Sequence, residues 1–367
     1  MKFKSFIFGL SSLLLMVGTA SCDKQGGELD LGTAQKQTVS FAVNGKAATK
    51  ATGSTGSFGE SVVNKWCIFL LKDGQIIDYW ADLSVNDRPT TTLDPGTYAT
   101  IGVANYPSSF NPATISSVAA INSSASYLED NDFGNFAMFS AEDEFEVGNQ
   151  PVTKVVGMRR FVARVSIDQV AVDFSNRPDL ASKQFVLKSI YLINVHGKDV
   201  FLEDTNVEPA STPSEWYNKL RYSGEMTDFI SDVNINASVT PNSPYQVAHY
   251  FYPYPNYTVM EAAGGNWSTR FTRLVVEGSI GTETRYYTIN IAPVKRNCTY
   301  HITSIVIKGF GSGDPDDPTD TGEVEIEWGL DIQDWTHSYS VEEDNPMVDD
   351  QSNEGEDIGW DPDPEHW

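Results

Sequence analysis

The most definite chemistry in this chain of 367 residues belongs to the thiol of Cys22. Lys2 and Lys4 give a basic start, an apolar run spans Phe6 to Val17, and the small residues Thr19, Ala20 and Ser21 lead into the cysteine. A signal peptidase needs small side chains just before its cut, and the freed Cys22 thiol would then carry diacylglycerol. The apolar run is too short to cross a ~30 Å hydrocarbon core comfortably. Residues 1–21 therefore read as a secretory signal and residues 22–36 as a lipidated tether, so that a membrane is met only through the lipid on Cys22. A second readable pair is Lys46 and Lys50. They lie in the Gly/Ser/Thr/Ala-rich stretch Gly45 to Gly59, which lacks the apolar side chains to hold a core. A trypsin-like protease cuts after Lys or Arg where the backbone is exposed and can extend. No Arg precedes Arg88, so such a protease would have to accept lysine.

Other chemistries are not indicated. His196, His249, His301, His337 and His366 show no metal-ligand spacing, and there is no HExxH. There is no GxSxG elbow and no glycine-rich loop between a strand and a helix. No sequence feature pairs two carboxylates across a cleft, as a glycosidase would need. The chain is read as a non-enzyme with no catalytic residue, metal or cofactor. Asp314, Asp316, Asp317 and Asp320 crowd one short stretch and could offer hard oxygens to Ca²⁺. They lack the EF-hand spacing and its terminal Glu, and the interleaved prolines favour a solvated spacer. With 50 acidic against 25 basic residues, a formal charge of −25 repels nucleic acid and anionic membrane surfaces. Once Cys22 is lipidated, Cys67 and Cys298 remain and read as buried free thiols.

The elements that position these groups are strands. Val, Ile, Thr, Tyr and Phe recur in short alternating runs broken by Gly, Pro, Asn and Asp. Gln37 to Asn44 places Val39, Phe41 and Val43 on one face. Asp73-Gly74 predicts a hairpin turn between Trp66 to Leu71 and Gln75 to Trp80. Val152 to Ile167 reads as one long strand region, and a second strand series begins near Phe185. The aromatic run Tyr250 to Tyr257, stiffened by Pro253 and Pro255, reads as core filling. Glu323 to Gln333 alternates again, with Val324, Ile326, Trp328, Leu330 and Ile332 on one face and mainly acidic residues on the other. Residues 342–367 hold 11 acids and no Lys or Arg, a composition expected to be disordered. The expected class is all-β, with two β-sandwich domains in tandem. Residues 37–178 form the first and residues 179–335 the second, which ends in the strand 323–335. An acidic tail, 336–367, follows.

Two of these strands are more telling for where they sit. Cutting after Lys46 or Lys50 would free the strand bearing Val39, Phe41 and Val43 and leave a groove. The alternating strand near the other end could fill such a groove in a neighbouring molecule, with main-chain bonds giving affinity and alternate side chains giving specificity. An alternating strand can equally complete its own sheet.

Several segments in order resemble one family. They are VSFAVNG followed by ATKATG, LDPGTYATIGVAN, MRRFVARVSI (158–167), FVLKSIYLINV (185–195), FYPYPN (251–256), and VKRNCTYHITSIVIKGFGSGDPDDP (294–318) followed by EVEIEWGLDIQDW. Together they are similar to the fimbrillins, the FimA-like subunits of type V pili of Bacteroidia, over nearly the whole mature chain. The resemblance implies two transthyretin-like sandwiches, export as an outer-membrane lipoprotein precursor, and removal of the first strand by a trypsin-like protease. It also implies donor-strand exchange with other pilus subunits at the cell surface, as part of an extracellular fimbrium, and a host or bacterial surface ligand. The roles of tip adhesin and membrane anchor belong to the same family. A monomeric glycan-binding lipoprotein using Trp216 or Trp267 is a reading from a different class.

Overall fold

The computed structural model describes residues 35–44, 59–201, 209–261, 267–291, 293–316 and 326–334. Cys22, Lys46, Lys50, Val324 and the acidic tail lie outside them. Strands dominate, and the helical pieces are short, such as Val118–Ser123 in the Ser/Asn/Pro-rich region.

In the first half, Trp66–Lys72 is apolar at nearly every position and so becomes a strand buried on both faces. It pairs with Gln75–Leu83 through the expected hairpin, whose turn residues Asp73 and Gly74 both take positive φ, 50° and 73°. Its other edge pairs with Gly96–Ala104, and Met138–Phe139, Arg159–Arg160 and Asp143–Val147 extend that sheet. Against it packs a three-stranded sheet, in the order Thr90–Leu93, Gln37–Val43, Val152–Val156.

The second half is also a pair of sheets. In one, Cys298–Ile307 runs parallel to Arg164–Ile167 and then to Val170–Val172, which share one of its edges in succession. His249–Phe251 lies beyond Arg164–Ile167, and Ile326–Asp334 pairs with the opposite edge of Cys298–Ile307. The other sheet carries Phe185–Ile193, Arg273–Ile280 and Glu283–Asn290, with Ser231–Asp232 and Ala237–Val239 at its margin.

Strand pairing divides the chain earlier than its composition does. Arg164–Ile167 and Val170–Val172, expected in the first domain, are hydrogen-bonded into the second half. The stretch expected as one strand region breaks into Val152–Val156, Arg159–Arg160 and Arg164–Ile167, which belong to three different sheets. A β-rich stretch with no fixed period cannot distinguish one strand from a chain that changes sheets through a buried waist.

That waist is aromatic. Phe161 lies 4.9 Å from Phe139 and 4.8 Å from Phe201 between ring centroids, and Phe136 lies 4.9 Å from Tyr252. The Tyr254 hydroxyl, fully buried, meets the hydroxyl of Ser126 at 2.7 Å and accepts from Asn131 Nδ2 at 2.7 Å. The FYPYPN segment is core, and it ties the two halves together. Cys67 and Cys298 are both buried thiols that are not joined in a disulfide.

Candidate assembly site

The strand Gln37–Val43 forms because Val39, Phe41 and Val43 recur every second residue, and the fold seats that face completely. Their exposures are 0%, 0% and 6%. Phe41 lies 5.2 Å from the ring of Trp80 and meets Phe145 edge-on at 6.2 Å. The strand is held on both sides. Gln37 to Ser40 pair antiparallel with Leu93 to Thr90, and Val39 to Val43 pair parallel with Val152 to Val156. Outward-facing Ser40 places its hydroxyl 2.9 Å from that of Thr153. Ala42 also faces outward, yet it is buried at 7% exposure. Without this strand, two neighbours would lose their ladders and a slot lined by Trp80 and Phe145 would open. Each large side chain so buried contributes roughly 1.5–3 kcal/mol of apolar transfer energy.

The strand Ile326–Asp334 sits differently. Among the described residues it has one hydrogen-bonded neighbour, Cys298–Ile307, and that ladder breaks between Ile302 and Ile305. Ile326, Trp328 and Leu330 are only half-buried against the core, and Ile332 is 43% exposed. The alternation expected from the sequence is present, and it rests on the strand's own domain as an edge.

Two buried charge clusters lie between these strands along the sequence, one nearer each. Glu60 is 3% exposed and follows the stretch that contains Lys46 and Lys50. Its carboxylate accepts from Tyr252 Oη and Arg164 Nη1, both at 2.9 Å, while its carbonyl accepts from Arg160 Nε. Burial pushes the Glu60 carboxyl up, and the Arg164 charge opposes it. Tyr252 and Arg164 lie in the second half, so Glu60 bolts the chain to the waist just beyond the expected cut. Near the other end, Asp316 accepts from Asn194 Nδ2 at 2.8 Å and pairs with Arg273, whose guanidinium also pairs with Glu261. Burial raises the Asp316 carboxyl, against the pull of Arg273.

This corrects the reading of the acidic stretch as a solvated spacer. The part up to Asp316 is docked. Ser312 exchanges backbone hydrogen bonds with Tyr286, and Pro315 O accepts from Thr288 Oγ1. A Cβ on Gly311 would stand 2.5 Å from the Tyr286 carbonyl, so glycine alone fits there. Asp316 spends its oxygens on Arg273 and Asn194. Trp216 is also corrected. It is 1% exposed, packed against His196 and Trp267, and offers no sugar platform. The anchors Glu60, Arg160 and Arg273 were not singled out from sequence, and Asp316 was read as part of a solvated spacer; Arg160 and Arg164 within MRRFVAR are the signal that could have pointed to a buried partner.

No known family profile matches the sequence, and no curated protein matches it. Solved structures do match in shape. A candidate cell adhesion protein of Bacteroides eggerthii superposes with a TM-score of 0.58 at 17% identity, over 82% of this chain and 97% of that one. A fimbrilin, FimA, of Porphyromonas gingivalis superposes with a TM-score of 0.51 at 14% identity, over 82% and 98%. The tip fimbrial protein Mfa3 of the same species, truncated at its C-terminus, gives 0.50 at 16% identity, over 81% and 100%. The fold is that of the fimbrillins. The family resemblance read from sequence thus holds at the level of fold, with the fimbrillin pair of β-sandwiches joined at the aromatic waist.

Proposed function

We propose that this chain is a structural subunit of a cell-surface pilus, exported as a lipoprotein precursor through Cys22. It matures by cutting after Lys46 or Lys50 and assembles by exchange of its terminal strand into a neighbour. One observation carries the proposal, the unequal seating of two alternating strands. The first is fully buried with two ladders, yet it is joined to the rest through a lysine-bearing, core-poor stretch. The terminal one is an edge strand with a half-exposed apolar face. A cut in the lysine stretch turns the first strand from a covalent part of the fold into a bound peptide. Glu60, on the far side, keeps the remaining chain locked to the waist. The vacated slot is then better filled by a terminal strand that gains a second ladder. Fimbrial proteins with the same fold support a pilus setting.

The test is Ile326→Asp or Trp328→Asp in the precursor. Each is expected to leave a folded precursor that cannot build SDS-resistant multimers after cutting. Polymers of unchanged length from either variant would remove the terminal strand from the donor role.

A further inference from the structure

Gln75–Leu83 is the outer strand of the six-stranded sheet, and among the described residues no strand pairs with its free edge. It has the makings of a docking edge. It is 9 residues long and carries the β-formers Ile76, Ile77, Tyr79 and Trp80. Ile77 and Tyr79 are 49% and 40% exposed. A long apolar edge of this kind is a template on which a second chain can pair.

The edge is shut at points where a second chain would bond. In an antiparallel pair, residues that bond to the neighbouring strand alternate with residues whose N–H and C=O point away from it. Counting from the turn at Asp73-Gly74, through the extra residue Ile77, puts Tyr79 in the outward set. Its amide donates to Oδ1 of Asp78, the residue before it, at 2.8 Å. Further along, the Asp82 amide donates to Tyr106 Oη at 3.2 Å, and that hydroxyl donates to Asp82 Oδ1 at 2.9 Å. Asp82 takes a φ of 53°, outside the strand region. The ladder to Trp66–Lys72 slips twice, between Trp66 and Ile68 and between Leu70 and Leu71. Each slip bends the edge away from the straight course that a pairing strand needs.

The Asp78 bond joins neighbours in sequence, so it ties no two elements together. What it does is occupy the amide. We propose that Asp78 and Tyr106 are edge guards. By holding the outward amides of Tyr79 and Asp82, they keep a second copy of this chain from pairing edge to edge along Gln75–Leu83. Such a pairing would be antiparallel about a two-fold axis, the same edge facing itself. A strand arriving there would have to displace the Asp78 carboxylate from one amide and the Tyr106 phenol from the other, leaving each without its partner. The inference goes beyond strand exchange and does not require it. On the strand-exchange reading, it leaves the slot of the first strand as the place where pairing happens.

Sedimentation of the uncut chain from residue 22 onward, with Cys22→Ser, tests this in about 1 M salt. Charges are then screened beyond about 3 Å, so the formal charge of −25 no longer holds copies apart. Asp78→Asn keeps an oxygen for the Tyr79 amide. Asp78→Val removes it at an exposed strand position that valine suits. The unsubstituted chain and Asp78→Asn are expected to sediment as monomers. Asp78→Val is expected to shift to twice the mass at micromolar concentration, with hydrogen exchange slowed across Gln75–Leu83. Tyr106→Phe keeps its ring against Phe110 and frees the Asp82 amide. It is expected to associate in the same way but more weakly, and the double variant more strongly than either. Monomers from all three variants would overturn the proposal, as would association without slowed exchange at that strand. Association of the unsubstituted chain in high salt would move the role from the capped amides to charge. Association of Asp78→Asn equal to that of Asp78→Val would remove the Asp78 oxygen from it.

Discussion

The first strand and the terminal strand share an alternating pattern but occupy seats of different quality. Among the described residues, Gln37–Val43 buries its apolar face fully and bonds to two neighbours, whereas Ile326–Asp334 bonds to one and leaves its face half-covered. Affinity for a seat is therefore not written in the strand. It is written in the slot, in Trp80 and Phe145 and in two open ladders. The charge clusters sharpen the contrast. The docked segment ending at Asp316 is firmly held by Arg273, while the strand that follows it is lightly held.

That contrast can be broken in order of effect. Arg273→Met should cost about 3–5 kcal/mol in chemical denaturation, because it takes the cation from buried Glu261 and leaves Asp316 only Arg270, 3.8 Å away. A cost below that of an ordinary surface change would mean the root is not clamped. Phe41→Ala should likewise cost about 3–5 kcal/mol in the uncut precursor, measured the same way. Trp328→Ala, at a half-buried position, should cost only about 1–2 kcal/mol there and yet abolish assembly. Equal stability losses for Phe41→Ala and Trp328→Ala would erase the asymmetry on which the account rests. Glu327→Gln removes an exposed ion pair with Lys308 and should leave thermal unfolding unchanged.

Much of the fold was legible because its strands are short and periodic. The hairpin at Asp73-Gly74, the buried face of Val39, Phe41 and Val43, and the alternation from Ile326 onward follow directly from period-two patterning. Three features were not legible. The passage from Val156 to Arg164 changes sheets within VGMRRFVAR, where apolar residues and arginines follow no period that marks the change. The docking of Gly309 to Asp316 depends on Arg273 and Asn194, far away in sequence, so its acidic composition pointed to solvent. Trp216 looked like a surface aromatic because nothing local reveals that His196 and Trp267 cover it. The candidate site was legible as two strands. Their unequal seats needed the pairing partners, which only the fold supplies.

Limited trypsin digestion of the chain lacking residues 1–21 tests the central claim most directly, followed by mass spectrometry and an SDS-resistant ladder assay. Clean cutting after Lys46 or Lys50, loss of the strand bearing Phe41, and a ladder are the expected results. Resistance in that stretch, or cutting with the first strand retained and no ladder, would contradict assembly by strand exchange.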